Sequence, residues 1–120
     1  EKKYSKEHEW ALLDNEIATI GITDHAQASL GDIVFIELPI IGTLINMGDQ
    51  VGVVESVKAA SDLFSPVGGE IVQVNNELIN NPQIINNDPE NNGWYMKIKI
   101  NHVDEINELM NLDEYKKIVK

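Results

Sequence analysis

Lys58 is the residue whose type and position most strongly indicate chemistry. The chain has nine lysines and no arginine. Histidines apart, Lys58 is the only basic residue between Lys6 and Lys97. It separates two strand-like runs, 51–57 and 59–63, so the pattern predicts a lysine at the tip of a β-hairpin. An isolated, exposed amine is a target that a modifying enzyme can distinguish from the other lysines.

Three kinds of chemistry remain open for this lysine. An imine-forming catalyst needs a desolvated amine, whereas Glu55 and Asp62 flank Lys58 in the sequence. Because solvent and carboxylates favour the charged ammonium, the residues favour an acylation target, with Glu55 and Asp62 as recognition handles. A plain surface lysine is the alternative without function. Ser56 lies two residues away, so a Ser-Lys nucleophile pair on one face of a strand is a further alternative.

Other classes of site find little support. The absence of cysteine removes disulfides, thiol nucleophiles and thiolate metal ligands. His8, His25 and His102 lack the spacing of metal ligands and are predicted to be surface or packing residues. The net charge is −11, and without arginine such a chain is a poor ligand for nucleic acid or anionic membranes. No apolar run is long enough to span a membrane as a helix.

The elements around Lys58 read as short strands separated by glycine and proline turns, which predicts a mainly β sandwich or open barrel. Further strands are predicted at 11–13, 16–22, 32–38, 42–45, 70–74 and 94–100. In the last of these, alternation places Trp94, Met96, Ile98 and Ile100 on the buried face, and Tyr95, Lys97 and Lys99 on the other. Helical signals are a segment from Thr23 to Gly31, a turn at 77–80 inside the Asn-rich stretch 75–93, and a C-terminal tail broken near Asn111.

Several motifs in the same order resemble the glycine cleavage system H-protein family. The segment 55–62, Glu-Ser-Val-Lys-Ala-Ala-Ser-Asp, followed by Ser-Pro-Val-Gly-Gly-Glu at 65–70, is similar to the family's lipoyl-attachment segment. The remaining matches are His8-Glu-Trp10, 18–27, 30–39, 87–89, Gly93-Trp94 and the closing helix. Gly68 departs from the family, where serine is usual, and Ile40-Ile41 replaces the more polar residues expected after Pro39.

The resemblance implies a fold and a set of site residues. The fold is a lipoyl-type barrel-sandwich hybrid with short peripheral helices and a C-terminal helix, in a single lipoyl-carrier domain of residues 1–120 with N-terminal and C-terminal additions. Lipoate would be attached to Lys58 as an amide, and Glu55 and Gly69 would serve recognition by the modifying enzyme. Glu9 and Asp62 would line a cleft for the loaded arm. The resemblance implies no catalytic residue and no metal ligand.

By the same resemblance the chain is a carrier and a substrate rather than an enzyme. A pyridoxal-phosphate glycine decarboxylase would load an aminomethyl group onto the lipoyl arm, and an aminomethyltransferase would pass the one-carbon unit to tetrahydrofolate. Dihydrolipoyl dehydrogenase would reoxidise the dithiol, and lipoate-attaching enzymes would install the group. The expected state is a monomer, in the cytoplasm of a bacterium or the mitochondrial matrix of a eukaryote.

Alternatives to this function stay open from the sequence. The chain could be a lipoyl carrier or relay for 2-oxoacid dehydrogenase-type complexes, although such lipoyl domains usually precede a linker and an acyltransferase domain. A biotin carrier is disfavoured because its tip reads Met-Lys-Met, whereas this one reads Val57-Lys58-Ala59. A small lysine-dependent enzyme is the alternative from another class of protein.

Overall fold

The computed structural model describes residues 1–119, and in that range the chain forms nine strands and five short helices. The strands are β1 (Lys2–Tyr4), β2 (Glu9–Asp14), β3 (Ile17–Ile22), β4 (Ile33–Glu37), β5 (Leu44–Ile45), β6 (Gln50–Ser56), β7 (Ala60–Phe64), β8 (Gly69–Val74) and β9 (Met96–Ile100). The helices are α1 (Asp24–Leu30), α2 (Glu77–Asn80), α3 (Ile84–Asn87), α4 (Asp104–Asn107) and α5 (Leu112–Ile118). The predicted fold class, mainly β with short peripheral helices and a helical C-terminus, is confirmed.

Two antiparallel sheets enclose the core. One has six strands in the order β1-β2-β3-β9-β8-β5, and the other has three in the order β4-β6-β7. One cluster of buried side chains joins both sheets. It includes Ile20, Ile71 and Ile98 from the larger sheet, and Ile36, Val54 and Leu63 from the smaller one. Because strand residues alternate between faces, strands such as β3 and β9 give this core every second side chain, whereas β4 departs from this spacing at a register shift.

Helix α1 begins and ends where the sequence predicts. The Thr23 Oγ1 atom accepts a hydrogen bond from the Ala26 N–H at 3.2 Å, which caps the helix N-terminus. Gly31 ends the helix at φ 84°, a conformation that favours glycine, and its N–H donates to the Gln27 carbonyl. These local signals fix the connection between β3 and β4.

The Asn-rich stretch 75–93 packs against the core as two short helices. Helix α2 occupies the predicted turn, whereas α3 was not predicted. Leu78 and Ile85 are each at most 2% exposed, so one buried side chain from each helix attaches the stretch to the core. The Asn75 side chain, also buried, donates to the carbonyls of Asn92 and Trp94 and closes the excursion.

The predicted strand 94–100 is shorter than expected, and the assignment of Tyr95 to its exposed face was wrong. The strand begins at Met96, and Tyr95 is 1% exposed. Tyr95 precedes the strand, so strand alternation does not govern it. Its hydroxyl group donates to the Phe64 carbonyl at 3.3 Å, and its N–H donates to the Ile20 carbonyl at 2.9 Å. These bonds satisfy the polar groups of a buried tyrosine.

The C-terminal segment is fastened to the N-terminal strand β1, which the sequence did not predict. Tyr4 and Met110 exchange two backbone hydrogen bonds of 2.8 Å. The ring of Tyr115 stacks on Tyr4 with centroids 4.8 Å apart. Asn111, the predicted break, caps α5 in a capping box with Glu114. The segment 108–110 thereby lies beside the start of the chain.

Candidate functional site

Lys58 lies in the exposed turn between β6 and β7. The two strands pair antiparallel, with Val54 opposite Ser61 and Glu55 opposite Ala60. Val57, Lys58 and Ala59 form the connection and are all exposed. The predicted hairpin is therefore present, and the nearest residue of each strand, Ser56 or Ala60, is two positions from Lys58.

Hydrogen bonds within the hairpin and to the neighbouring residue Asp32 hold the turn in place. Ser56 Oγ accepts hydrogen bonds from the N–H groups of Lys58 and Ala59 at 3.3 and 3.1 Å, and it lies 3.2 Å from the Ala59 carbonyl oxygen, to which it donates. The Val57 N–H donates to the Asp32 carbonyl at 3.0 Å. The expectation that Ser56 and Lys58 share one face of a strand was wrong, since β6 ends at Ser56. The serine hydroxyl is used to shape the turn, which leaves no support for a Ser-Lys nucleophile pair.

Glu9 lies in a cleft of about 430 Å³ at the other end of β7. The cleft lining includes Tyr4, Ser5, Glu9, Phe64, Leu109 and Met110. The side chain of Glu9 is 3% exposed. Ser5 Oγ donates to Glu9 Oε1 at 2.8 Å, and the Phe64 N–H donates to Oε2 at 3.3 Å. The lining is mainly apolar but also contains Lys6, Glu7 and Glu108. Among its carboxyl groups, the buried one is that of Glu9, which two donors hold.

Burial controls the protonation of Glu9. Desolvation raises the pKa of its carboxyl group from 4.5 to about 7, and the negative charge of Glu7 adds a smaller increase. The hydrogen bonds from Ser5 and Phe64 favour the carboxylate and limit that rise. Glu9 therefore changes charge close to neutral pH. In its ionised form it would attract a cation that enters the cleft.

Asp62 lies between the hairpin tip and the cleft rather than beside Glu9. It is exposed on β7 and accepts a hydrogen bond from Gln50 Nε2 at 3.1 Å. It does not contribute to the cleft lining around Glu9. Because Ala60, Asp62 and Phe64 are two residues apart on one strand, they share a face. That face leads from the Lys58 turn to the cleft.

The two predicted recognition residues lie in different parts of the fold. Glu55 is exposed on β6, opposite Phe35 and Ala60 and three residues from Lys58. Gly69 is buried at the start of β8 in the larger sheet, where it pairs with Ile45 and Ile100. Only Glu55 belongs to the hairpin that carries the lysine.

Two of the three histidines, predicted to be surface or packing residues, lie next to each other in the fold. The rings of His8 and His25 have centroids 4.7 Å apart. His8 Nδ1 lies 2.8 Å from the Tyr115 hydroxyl oxygen, which is itself 2.6 Å from Thr23 Oγ1. Burial lowers the pKa of His8, and the proximity of His25 lowers it further. Within residues 1–119, no group of three His, Cys, Asp or Glu side chains could hold a metal ion.

Comparison with known proteins decides the family. The family model described as glycine cleavage H-protein matches residues 2–120. The chain belongs to the glycine cleavage H-protein family. A glycine cleavage system H protein of Carboxydothermus hydrogenoformans is 55% identical over 118 residues, covering 98% of this chain and 91% of the relative. A probable glycine cleavage system H protein 1 of Sulfolobus acidocaldarius is 49% identical and covers 96% of this chain and 83% of the relative.

A solved structure supports the same conclusion. The crystal structure of a glycine cleavage system H protein from Mycobacterium marinum superposes with a TM-score of 0.89 at 33% identity, covering 98% of this chain and 94% of that one. The H-protein family is that of the lipoyl-carrying shuttle, and the relatives are named as a component of the glycine cleavage system. The family resemblance seen in the sequence is therefore confirmed.

Sequence reasoning missed most of the cleft lining. Ser5, Phe64 and Met110 come from three segments far apart in the chain, and none of them stands out by type or spacing. Only Glu9 was found, through the family motif at 8–10.

No helix in the described residues is long and apolar enough to cross a membrane.

Proposed function

We propose that Lys58 carries lipoate in amide linkage and that the chain shuttles an aminomethyl group between enzymes of glycine cleavage. The observation that supports this most directly is a lone lysine, exposed at the tip of a fixed hairpin, in a chain of the H-protein family. When bound, the group supplies a dithiolane that takes up a one-carbon amine fragment and is reduced. The chain itself supplies the attachment point, the path and the cleft.

The residues present fit such a group. The turn around Lys58 is shaped by backbone bonds and Ser56, so acylation of the side chain disturbs no contact that holds the hairpin. Among the described residues, the ion pairs are Lys2–Glu90 and Lys99–Glu16, and neither uses Lys58. The amine is therefore free for amide formation, and the loss of its charge costs no salt bridge.

The outward face of β7 offers a route back from the tip. From Ala60 to Phe64 the strand rises about 13 Å, and Asp62 lies midway on the same face. At the end of this route the apolar cleft would shield the arm from water, and the Glu9 carboxylate would face a cationic end. We assign Glu9 and Asp62 to this role, and Glu55 and Gly69 to recognition by the modifying enzyme.

In this function the chain acts as a substrate of its partners, as one carrier domain spanning residues 1–120. A pyridoxal-phosphate decarboxylase, an aminomethyltransferase, dihydrolipoyl dehydrogenase and a lipoate-attaching enzyme would each engage it in turn. A tethered arm raises the effective concentration at each site, while a monomer with a polar, acidic surface can leave each partner again. A bacterial source would place these encounters in the cytoplasm.

The test is intact mass measurement with peptide mapping, after incubation with lipoate, ATP and a lipoate–protein ligase. One lipoyl group on Lys58, with none on Lys58→Arg, is the expected result. A glycine–bicarbonate exchange assay with the decarboxylase then tests the pathway. A folded wild-type chain that stays unmodified would refute the attachment, and a lipoylated chain without exchange activity would refute the pathway.

The alternative lysine-dependent enzyme is tested with the same sample. Borohydride reduction in the presence of a carbonyl substrate would trap an imine on Lys58 if that chemistry operated. We expect no trapped adduct, because the exposed tip does not desolvate the amine.

A further inference from the structure

Strand β4 exposes two adjacent apolar side chains where regular alternation would bury one of them. Val34 is 54% exposed and Phe35 is 48% exposed, while Ile33 and Ile36 on either side are buried. The pairing of β4 with β6 shifts register between Ile33 and Phe35. A bulge of this kind rotates successive side chains to the same side of the strand. The shift therefore directs both Val34 and Phe35 to the surface.

These two residues lie beside the turn that carries Lys58. Phe35 is opposite Glu55, and Ile33 is opposite Ser56. The next residue of the turn, Val57, donates its N–H to the Asp32 carbonyl at 3.0 Å and is 68% exposed. Val34, Phe35 and Val57, here called the tip ridge, thus form exposed apolar surface immediately next to the lysine.

The charges around the tip ridge indicate what would cover it. Asp32, Glu37 and Glu55 are exposed around it, and Lys58 is the only basic residue, histidines apart, in the sequence from 7 to 96. A second copy of the chain would bring the same acidic rim and a net charge of −11, which like-charge repulsion disfavours. A complementary partner presents an apolar recess bordered by lysine or arginine.

We propose that the tip ridge is the docking surface for the enzyme that acylates Lys58. This proposal rests on the proposed function and adds how that enzyme recognises its target. An attaching enzyme must bring its active site to the Lys58 amine. The active site then lies within the length of one lysine side chain from the backbone of the hairpin. Its surface must therefore cover the residues beside Lys58, which are the tip ridge. Enzymes that act on a finished arm meet the dithiolane at its far end and have no such requirement.

The step that this docking serves is acyl transfer from an acyl adenylate made from lipoate and ATP. The neutral Lys58 amine attacks the acyl carbon, and a C–N bond forms. The C–O bond to the phosphate breaks, AMP leaves with the electron pair, and the proton of the amine passes to solvent. The tip ridge takes no part in this bond making and acts by positioning the lysine.

The test measures kcat/KM for lipoylation of the full chain by a purified lipoate–protein ligase with lipoate and ATP. Phe35→Ser and Val34→Ser are the test variants. Leu44→Ser is the matched control, since Leu44 is an apolar residue 79% exposed on β5 of the other sheet. Truncation of a central docking residue typically weakens binding about tenfold or more. We expect kcat/KM to fall about tenfold or more for Phe35→Ser, and to change by less than about twofold for the control Leu44→Ser.

Two further measurements keep the result interpretable. A small acylating reagent should label Lys58 equally in all variants, which would show that the turn is intact. Should Phe35→Ser unfold, Val34→Thr, which keeps the shape of the side chain but exchanges one apolar methyl group for a hydroxyl group, should still lower kcat/KM about fourfold. Equal kcat/KM in wild type and folded tip-ridge variants would overturn the proposal.

The failure of this proposal can be told apart from failure of the proposed function. A wild-type chain that is never lipoylated would remove the function, and the tip ridge assignment with it. A tip-ridge variant that is lipoylated at the normal rate but fails in glycine–bicarbonate exchange would assign the surface to the decarboxylase instead, and would overturn the proposal alone.

Discussion

Glu9 combines burial with a charge that changes near neutral pH, and this makes it the residue on which retention of a loaded arm should depend. We predict that Glu9→Gln leaves lipoylation of Lys58 intact but speeds the loss of methylamine from the loaded protein. The amide keeps the size of the side chain while removing the negative charge that would hold a cationic end. The measurement is release of methylamine over time at pH 8, where the wild-type carboxyl group is mostly ionised. Equal decay of variant and wild type would contradict this role.

The same residue predicts how stability depends on pH. Its pKa is raised from 4.5 to about 7, so between these values the folded state holds a proton that the unfolded state has released. The contribution of Glu9 to the free energy of unfolding is therefore fully present at low pH. It decreases by about 3 kcal/mol in total as the pH rises from 4.5 to about 7. We expect Glu9→Gln to lack this loss and to be the more stable protein at pH 8. Urea unfolding from pH 4 to 8 checks this, and parallel curves for both proteins would contradict it.

Gly69 and Gly68 form a matched pair at the start of β8. A Cβ atom on Gly69 would overlap the Lys99 carbonyl oxygen and lie 2.8 Å from Ile98 Cγ2. On Gly68, the nearest atoms would be the Ile45 carbonyl oxygen at 3.1 Å and the Met47 backbone nitrogen at 3.2 Å, which is close but not overlapping. We predict that Gly69→Ala lowers the free energy of unfolding by about 2–4 kcal/mol, and Gly68→Ser by less than about 1 kcal/mol.

This pair also tests whether Gly69 is read directly by the modifying enzyme. If Gly69 is required only because a Cβ atom there would disrupt the pairing of β8, the lipoylation rate of Gly69→Ala should fall in proportion to the fraction of folded protein. Denaturant unfolding and the lipoylation rate, measured on the same samples, give both quantities. A fully folded variant that is modified slowly would instead support direct recognition.

At the scale of elements, what the sequence predicts is what local signals determine. Helix α1 has an N-cap and a terminal glycine within its own segment, and the hairpin around Lys58 is marked by strand-like runs on both sides. Strand β1 has no such signal, since it forms by pairing with β2 and with Met110, which lies far along the chain. Long-range pairing of this kind is not encoded by periodicity.

The candidate site divides in the same way. Lys58 could be found from the sequence because its isolation among acidic residues is a property of the chain itself. The cleft around Glu9 could not, because three distant segments build it. The tip ridge was also invisible, since the run 33–36 is apolar throughout and the register shift that exposes Val34 and Phe35 arises only when β4 pairs with β6.

Helix α5 acts as a clamp on the N-terminal segment, and Tyr115 is the residue that makes the contact. Its hydroxyl oxygen lies 2.6 Å from Thr23 Oγ1 and 2.8 Å from His8 Nδ1. We predict that Tyr115→Phe, which keeps the stack on Tyr4, lowers the free energy of unfolding by about 1–2 kcal/mol. Urea denaturation measures this loss, with the exposed Lys117→Ala as a control expected within about 0.5 kcal/mol of wild type. A Tyr115→Phe variant as stable as the control would show that the clamp consists of the stack alone.

Across the whole molecule, a net charge of −11 is offset by few close ion pairs. Over the described residues these are Lys2–Glu90 at 3.9 Å and Lys99–Glu16 at 4.0 Å, both partly exposed and therefore weak. Added salt therefore screens little attraction between opposite charges, but it screens much repulsion among the excess carboxylates. We predict that raising NaCl from 0.01 to 0.15 M, which shortens the Debye length from about 30 to 8 Å, raises Tm by about 3–5 °C.

The same addition of salt should act in the opposite direction on encounters with partners. If an acidic rim steers Lys58 toward a basic recess, screening lowers the association rate, so kcat/KM for lipoylation should fall while Tm rises. Scanning calorimetry and the ligase assay in the same NaCl series measure both, and KCl serves as a control for specific sodium binding. A Tm that falls with salt would mean that attractive pairs outweigh the repulsion. A lipoylation rate that stays constant would mean that apolar contact, rather than charge, brings the enzyme to the tip.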